Sequence, residues 1–167
     1  MAQQPPPPPP PAYGRPAGAR PAPVTTSAVL LIVLGSLYAL FGVLIVVGGG
    51  ALADFIGGFA GVAIALGLVV VAFGVLDIVA GVKVLGLSSG WRIGGIVLSA
   101  IGALFALIGT IGSFSGQETA TLDPETFQVV TESAGPNIGG IIFGLLFLAA
   151  NVIALVLLAR NGRAFVR

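Results

Sequence analysis

Four long apolar runs, interrupted by little more than glycine, dominate this chain. They cover about residues 28–48, 58–82, 93–114 and 138–159. A helix of roughly 20 apolar residues can cross the hydrocarbon core of a bilayer, where the backbone must satisfy its hydrogen bonds internally. The runs therefore predict an all-α membrane protein, an antiparallel bundle of four transmembrane helices.

Composition narrows the function as well as the fold. Only 8% of residues are charged, and the mean hydropathy is +1.10, whereas a soluble domain carries roughly 25% charged residues. The net charge of +1 argues against a nucleic acid partner. The chain has no cysteine and no histidine, so it lacks the usual thiolate nucleophile, general base and soft metal ligands. We expect a non-enzymatic protein without cofactor or metal, with the lipid bilayer as its main partner.

The chain divides into a tail, a membrane domain and a short C-terminal end. Residues 1–27 form a proline-rich tail in which Pro5 to Pro11 are consecutive, so polyproline II or disordered structure is expected. This tail is either a solvated extension or a docking strip for a cytoplasmic protein. The apolar run after it is too long for a secretory signal. Residues 28–160 form the four-helix transmembrane domain, and residues 161–167 form a short basic cytoplasmic tail.

Local signals predict where the helices begin and end. Thr25, Thr26 and Ser27 are suited to cap the first helix, and the glycines at 48–50 are expected to end it. Residues 85–92 are predicted to form a hairpin. In the outer loop, residues 115–136, the sequence Asp-Pro-Glu at 123–125 predicts the start of a short helix that ends near residue 133. This loop is predicted to be either an ordered lid on the membrane surface or an acidic ligand site.

The basic residues predict the orientation. With four spans, all seven fall on one side of the membrane, while the acids outside the spans fall on the other. Cytoplasmic loops carry the excess of lysine and arginine, so both termini of this multi-pass protein are predicted to be cytoplasmic. The basic residues are Arg15, Arg20, Lys83, Arg92, Arg160, Arg163 and Arg167.

Glycine recurs every seven residues in three of the spans. Such a stripe keeps one face towards a neighbouring helix, and small residues let two backbones approach closely. The stripes are predicted to be packing seams, either within one bundle or between copies in a homo-oligomer. The residues are Gly35, Gly42 and Gly49 in span one, Gly67, Gly74 and Gly81 in span two, Gly95, Gly102 and Gly109 in span three, and Gly140 and Gly144 in span four.

Asp77 is the only acid inside an apolar run, and Ser99 and Asn151 lie at similar depth. The three predict an intramembrane polar cluster. It either joins helices by hydrogen bonds or carries a proton or cation; alternatively, Asp77 lies near the interface because its span ends early. Trp91 and Arg92 are predicted to anchor the start of span three at the lipid headgroups.

Residues 80–99, AGVKVLGLSSGWRIGGIVLS, resemble the pattern AGxxLLxGxxWxRxxxxxxS. This pattern recurs in small bacterial four-helix membrane proteins of unknown function that carry a proline-rich cytoplasmic N-terminal tail. Ser88 and Ser89 depart from it, because a basic residue is common there. The resemblance implies the inner membrane of a bacterium and supplies no substrate, cofactor or catalytic residue. The matching positions are Ala80, Gly81, Leu85, Trp91, Arg92 and Ser99.

These observations favour an accessory or scaffold protein whose tail reaches cytoplasmic partners. The alternative is a small transporter or channel subunit that acts as an oligomer, with Asp77 as its proton or cation site. An isolated acid without a second carboxylate at catalytic spacing makes an enzyme the weakest interpretation.

Overall fold

The structure, a computed structural model, describes residues 21–53, 57–115, 117–122 and 129–165. The predictions for residues 1–20, for Asp54 and for Arg167 lie outside the described residues. So do those for residues 123–128 and for the side chains of the two strands described below.

The protein is an all-α bundle of four antiparallel helices, as the apolar runs predict. The helices are α1 (Ala22–Ala51), α2 (Phe59–Leu85), α3 (Ser89–Phe114) and α4 (Ile138–Arg160). Each is long and apolar enough to cross a membrane. Many large apolar side chains along them are exposed, including Val69 and Leu146, which is expected of surfaces that face lipid.

Helix α1 is longer at both ends than its capping signals predict. It begins at Ala22, so Thr25, Thr26 and Ser27 lie inside it and the predicted cap is wrong. The hydroxyls of Thr26 and Ser27 donate to carbonyls of their own helix, and Ser27 is fully buried. Packing of this extra turn outweighs the local cap, and proline is tolerated in the first turn of a helix. The helix also continues through the glycines at 48–50 to Ala51.

The connection between α2 and α3 is shorter than predicted. Helix α2 extends to Leu85 and α3 begins at Ser89, which leaves only residues 86–88 as a turn. Leu87 makes this turn with a positive φ of 59°. Arg92 therefore belongs to the first turn of α3 rather than to the loop, and this determines what it contacts.

The loop between α3 and α4 contains two paired β-strands, so the predicted short helix is wrong over residues 129–133. Strand β1 (Gln117–Leu122) pairs antiparallel with β2 (Val129–Ala134), from Gln117 opposite Ala134 to Leu122 opposite Val129. The segments QETATL and VVTESA are rich in threonine and valine, whose branched side chains favour strands. The helix-start signal at 123–125 itself lies outside the described residues.

The four helices pack as two pairs. Helix α1 packs most extensively on α2, and α3 on α4, while contacts of α1 with α4 and of α2 with α3 join the pairs. An apolar cluster closes the end of the bundle where α1 begins and α4 ends. It consists of Val24, Ala28, Leu31, Ala80, Val84, Leu158 and Phe165.

Candidate functional site: a buried polar layer between the helix pairs

Asp77 lies on the buried face of α2 and is fully inaccessible to solvent. It approaches α1 at a glycine: a Cβ built on Gly35 would lie 2.8 Å from the Cβ of Asp77. Both carboxylate oxygens are buried without a hydrogen-bond partner among the described residues. Asp77 is therefore in the bundle interior, and an early end of its helix does not explain it, since α2 continues for two further turns.

Asn151 of α4 and Ser99 of α3 are also fully buried. The Asn151 amide nitrogen donates to the hydroxyl of Tyr38 on α1 at 3.3 Å and to the Phe147 carbonyl at 2.9 Å. Its side-chain oxygen, like the Ser99 hydroxyl, has no partner within the described part of the chain. Asn151 therefore joins α4 to α1, whereas Ser99 joins nothing by a hydrogen bond.

The structure buries all three predicted residues but does not bond them to one another. Within the described residues, no hydrogen bond links Asp77, Ser99 and Asn151 to one another. A polar cluster in which hydrogen bonds join these three residues is therefore wrong. Instead Asn151 bonds Tyr38 of α1, whose ring packs against Phe73 and Phe147 with ring centres 5.4 Å away in each case.

Glycine holds the backbones of α1 and α2 together. A Cβ on Gly35 would lie 2.5 Å from the Gly74 carbonyl oxygen, and one on Gly74 would lie 2.5 Å from the Ala39 backbone nitrogen. Such separations leave no room for a side chain, because backbone atoms cannot rotate away. The same close approach occurs at Gly42, Gly67 and Gly81, while Gly49 faces the Ala63 side chain.

In the seam between α3 and α4, two glycines face polar side chains rather than the backbone of the neighbouring helix. Gly102 faces the side chain of Asn151, and Gly144 faces that of Thr110. Gly109 is the exception among the predicted seam residues, because a Cβ there would meet no atom within 4 Å. The remaining positions pack against side chains, Gly95 against Leu158 and Leu31, and Gly140 against Ser113.

Arg92 binds the end of α4. Its Nε donates to the Leu158 carbonyl at 2.9 Å and its Nη2 to the Ala159 carbonyl at 3.0 Å, and its guanidinium lies 5.9 Å from the centre of the Phe165 ring. The last carbonyls of a helix lack intrahelical donors and carry partial negative charge, so a cation there is favourable. Trp91 packs against the apolar cluster at this end. Both residues thus make intramolecular contacts in addition to any role at the headgroups.

Sequence reasoning missed two contacts. It assigned no role and no partner to Tyr38. It also treated Arg92 only as a headgroup anchor. An available signal for Arg92 was its place near a helix start, where its charge opposes the helix dipole and requires compensation elsewhere.

The basic residues of the four helices and of the turn after α4 lie at one end of the bundle. Lys83, Arg92, Arg160 and Arg163 lie at the end where α2 and α4 terminate. Within the described ranges, no group of three or more metal-binding side chains is present.

Comparison with protein families, curated proteins and solved structures finds no match to this chain. The resemblance to small bacterial membrane proteins consequently stays a prediction.

Proposed function

We propose that this protein is a non-enzymatic accessory or scaffold of the bacterial inner membrane, whose bundle holds the proline-rich tail at the cytoplasmic surface. The observation that carries the proposal is the backbone contact along α1 and α2, which fills the interior of that pair. Two cavities of the described residues are grooves lined by side chains of α1, α4 and, in one case, α3. Such a bundle is suited to anchoring rather than to conduction by a single copy.

The placement of both termini in the cytoplasm belongs to the same proposal. It is supported by the four basic residues at one end of the bundle. Reporter fusions after Gly135 and after the C-terminus test it, because the two positions should report opposite sides. Equal signals from the two fusions would contradict the orientation and the number of spans together.

Cross-linking in the native membrane tests the scaffold itself. The matched control keeps the length of the tail but replaces Pro5 to Pro11 with glycine and serine. We expect a cytoplasmic protein to be cross-linked by the natural chain and lost from the control. Identical cross-linked species from both chains would show that the proline run recruits nothing.

A second candidate function is supported by Asp77. A charged acid at the centre of a span costs about 2.5–3.5 kcal/mol on insertion scales, and this one has no hydrogen-bond partner among the described residues to offset the cost. Ionisable residues inside membranes often mark proton or ion pathways. We propose as the alternative a transporter or channel subunit that works as an oligomer, with Asp77 binding a proton or cation.

Flux into liposomes separates this alternative from a structural role. Asp77→Asn keeps the size of the side chain and removes its charge and titration. We expect the variant to fold, with unchanged Trp91 fluorescence, and to lose flux of protons or monovalent cations. Flux equal to that of the natural chain would reject Asp77 as the coupling residue.

A further inference from the structure

Asp77 of α2 lies level with Gly102 of α3. The two helices are antiparallel, so a step forward along α2 corresponds to a step back along α3. Two contacts between them lie on either side of Asp77: Val84 with the Cβ position of Gly95, at 3.8 Å, and the ring of Phe73 with that of Phe105, at 6.1 Å between centres. Asp77 lies seven residues before Val84 and four after Phe73. The same steps along α3, taken from each partner in the opposite direction, lead to residues 102 and 101.

Asn151 of α4 lies at the same level. Gly102 faces it, since a Cβ built on this glycine would lie 3.0 Å from the Asn151 Cγ. Helix α1 links the same two residues independently: Gly35 faces the Cβ of Asp77. One turn later, the Tyr38 hydroxyl accepts a hydrogen bond from Asn151 at 3.3 Å. Asp77 and Asn151 are both fully buried, so they share one layer of the bundle interior, with glycines of α1 and α3 beside them.

Three oxygen atoms of this layer are buried without a hydrogen-bond partner among the described residues: both carboxylate oxygens of Asp77 and Oδ1 of Asn151. The Asn151 nitrogen donates to the Phe147 carbonyl at 2.9 Å, and a carbonyl only accepts, so the atom without a partner is the oxygen. Ser99, one turn before Gly102 on α3, is a possible donor, but its hydroxyl bonds no described residue. The layer therefore presents acceptors, one of them an acid, that no described donor satisfies.

We propose that a sodium ion binds in this layer, between the Asp77 carboxylate and the Asn151 amide oxygen. Carboxylate and amide oxygens are hard ligands that suit hard cations. One carboxylate balances the charge of one monovalent ion, whereas a divalent ion would leave a net charge in an apolar interior. Close packing favours sodium over the larger potassium ion, since a Cβ on Gly35 would lie 2.8 Å from the Asp77 Cβ.

A proton or a water molecule accounts for these atoms less well. A proton on Asp77 would neutralise the charge, but the carboxyl group would then need an acceptor, and no described acceptor bonds it. Bound water would satisfy the oxygens but leave an ionised acid without a counterion, since the described basic residues lie at one end of the bundle. A metal ion does both, because it binds oxygen atoms that do not bond each other. The inference rests on the ionisable role of Asp77 in the second proposed function and names the ion.

Thermal unfolding of the purified full-length protein in detergent tests the proposal, with sodium chloride compared with potassium chloride and choline chloride at equal ionic strength. An ion that binds only the folded state raises the midpoint of unfolding as its concentration exceeds its Kd. We expect a rise of about 3–6 °C where sodium exceeds its Kd tenfold, and no such rise with potassium or choline.

Substitutions locate the site. Asp77→Asn removes the charge and Asn151→Ala removes the amide oxygen, so each should weaken the apparent sodium affinity by about tenfold or more. Asn161→Ala is the matched control, because the Asn161 nitrogen also donates one turn back, to the Leu157 carbonyl at 2.7 Å, but this residue follows the end of α4. Each variant is compared in sodium with itself in choline, so that a general loss of stability does not enter the result.

Three results would overturn the proposal: equal midpoints of the natural chain in sodium and choline, equal rises in sodium and potassium, or equal sodium responses of Asn151→Ala and Asn161→Ala. The first two need only the natural chain, so they decide the question even where a variant fails to fold. Sodium binding in a protein without any flux would reject the transporter proposal and leave the site standing. Proton flux that depends on Asp77, without any effect of sodium on unfolding, would reject the sodium site and leave the transporter proposal standing.

Discussion

The α1–α2 pair and the α3–α4 pair both place glycine at their interface, but the glycines meet different groups. In α1–α2 they meet backbone atoms, as Gly35 meets the carbonyl of Gly74. In α3–α4 they meet polar side chains, as Gly102 meets Asn151. Backbone cannot move aside without moving the helix, whereas a side chain can rotate. The same residue type thus makes one rigid seam and one adaptable seam.

Among the described residues, the adaptable pair also carries three of the five buried polar side chains, Ser99, Thr110 and Asn151. Thr110 and Ser113 donate to carbonyls one turn earlier in α3, at 2.6 and 2.9 Å, and fill space beside glycines of α4. A groove with aromatic walls lies between α1 and this pair. The first pair thus serves as the framework, while the space that could take a ligand is lined by α1 together with α4 and, in one groove, α3.

The largest expected effect is in the rigid seam. Gly74→Leu should destabilise the bundle by about 3 kcal/mol, because its new side chain meets backbone of α1 at 2.5 Å. Thermal unfolding in detergent measures the loss. Gly61→Leu in the same helix, where a Cβ meets no atom within 4 Å, is the control and should change stability little. Similar losses from both variants would remove the distinction between seam and surface.

A smaller loss is expected in the adaptable seam. Gly102→Ala should cost about 1–2 kcal/mol, since the methyl group displaces the Asn151 side chain and its hydrogen bond to Tyr38. In the Asn151→Ala background the same change should cost less, and a double-mutant cycle measures the coupling. Additive effects would show that Gly102 and Asn151 do not share this space.

Substitution of Arg92 tests whether its hydrogen bonds hold the start of α3 to the end of α4. Arg92→Ala removes two hydrogen bonds to terminal carbonyls and should lower the free energy of unfolding by about 1 kcal/mol. Lys83→Ala removes a basic residue from the same end and serves as the control, with little expected change. Chemical denaturation followed by Trp91 fluorescence measures both. Equal losses would mean that net charge, rather than the contacts of Arg92, stabilises this end.

Ser99 should have the smallest effect. Its hydroxyl is buried without a partner among the described residues, so Ser99→Ala should change stability by no more than about 0.5 kcal/mol, or slightly increase it. Thermal unfolding again provides the measurement. A loss well above 1 kcal/mol would reveal a bonded partner for Ser99, and with it a polar cluster in place of separate groups.

The amino-acid sequence by itself determined the fold class and the ends of the helices to within six residues, the largest error being at the start of α1. The length of an apolar run and its lack of charge can be read from the local sequence. Inside a bilayer such a run must form a helix, because no water is present to bond its backbone groups. The sequence erred where local signals competed with packing, as at Thr25 to Ser27, and over residues 129–133, which belong to strand β2 rather than to a helix. A capping side chain contributes about 1 kcal/mol, which burial of a further helical turn easily exceeds.

Only the tertiary structure decided which polar groups meet. Tyr38 and Asn151 are 113 residues apart in sequence, and no local pattern pairs them. A seven-residue repeat places Gly102 and Gly109 on one face, yet one packs against Asn151 and the other borders a groove. The physical reason is that contacts depend on the rotation and separation of whole helices. Those quantities arise from the sum of all side chains in the interface. Neither the lack of a partner for Asp77 among the described residues nor the groove between α1, α3 and α4 can therefore be derived from spacing along the chain.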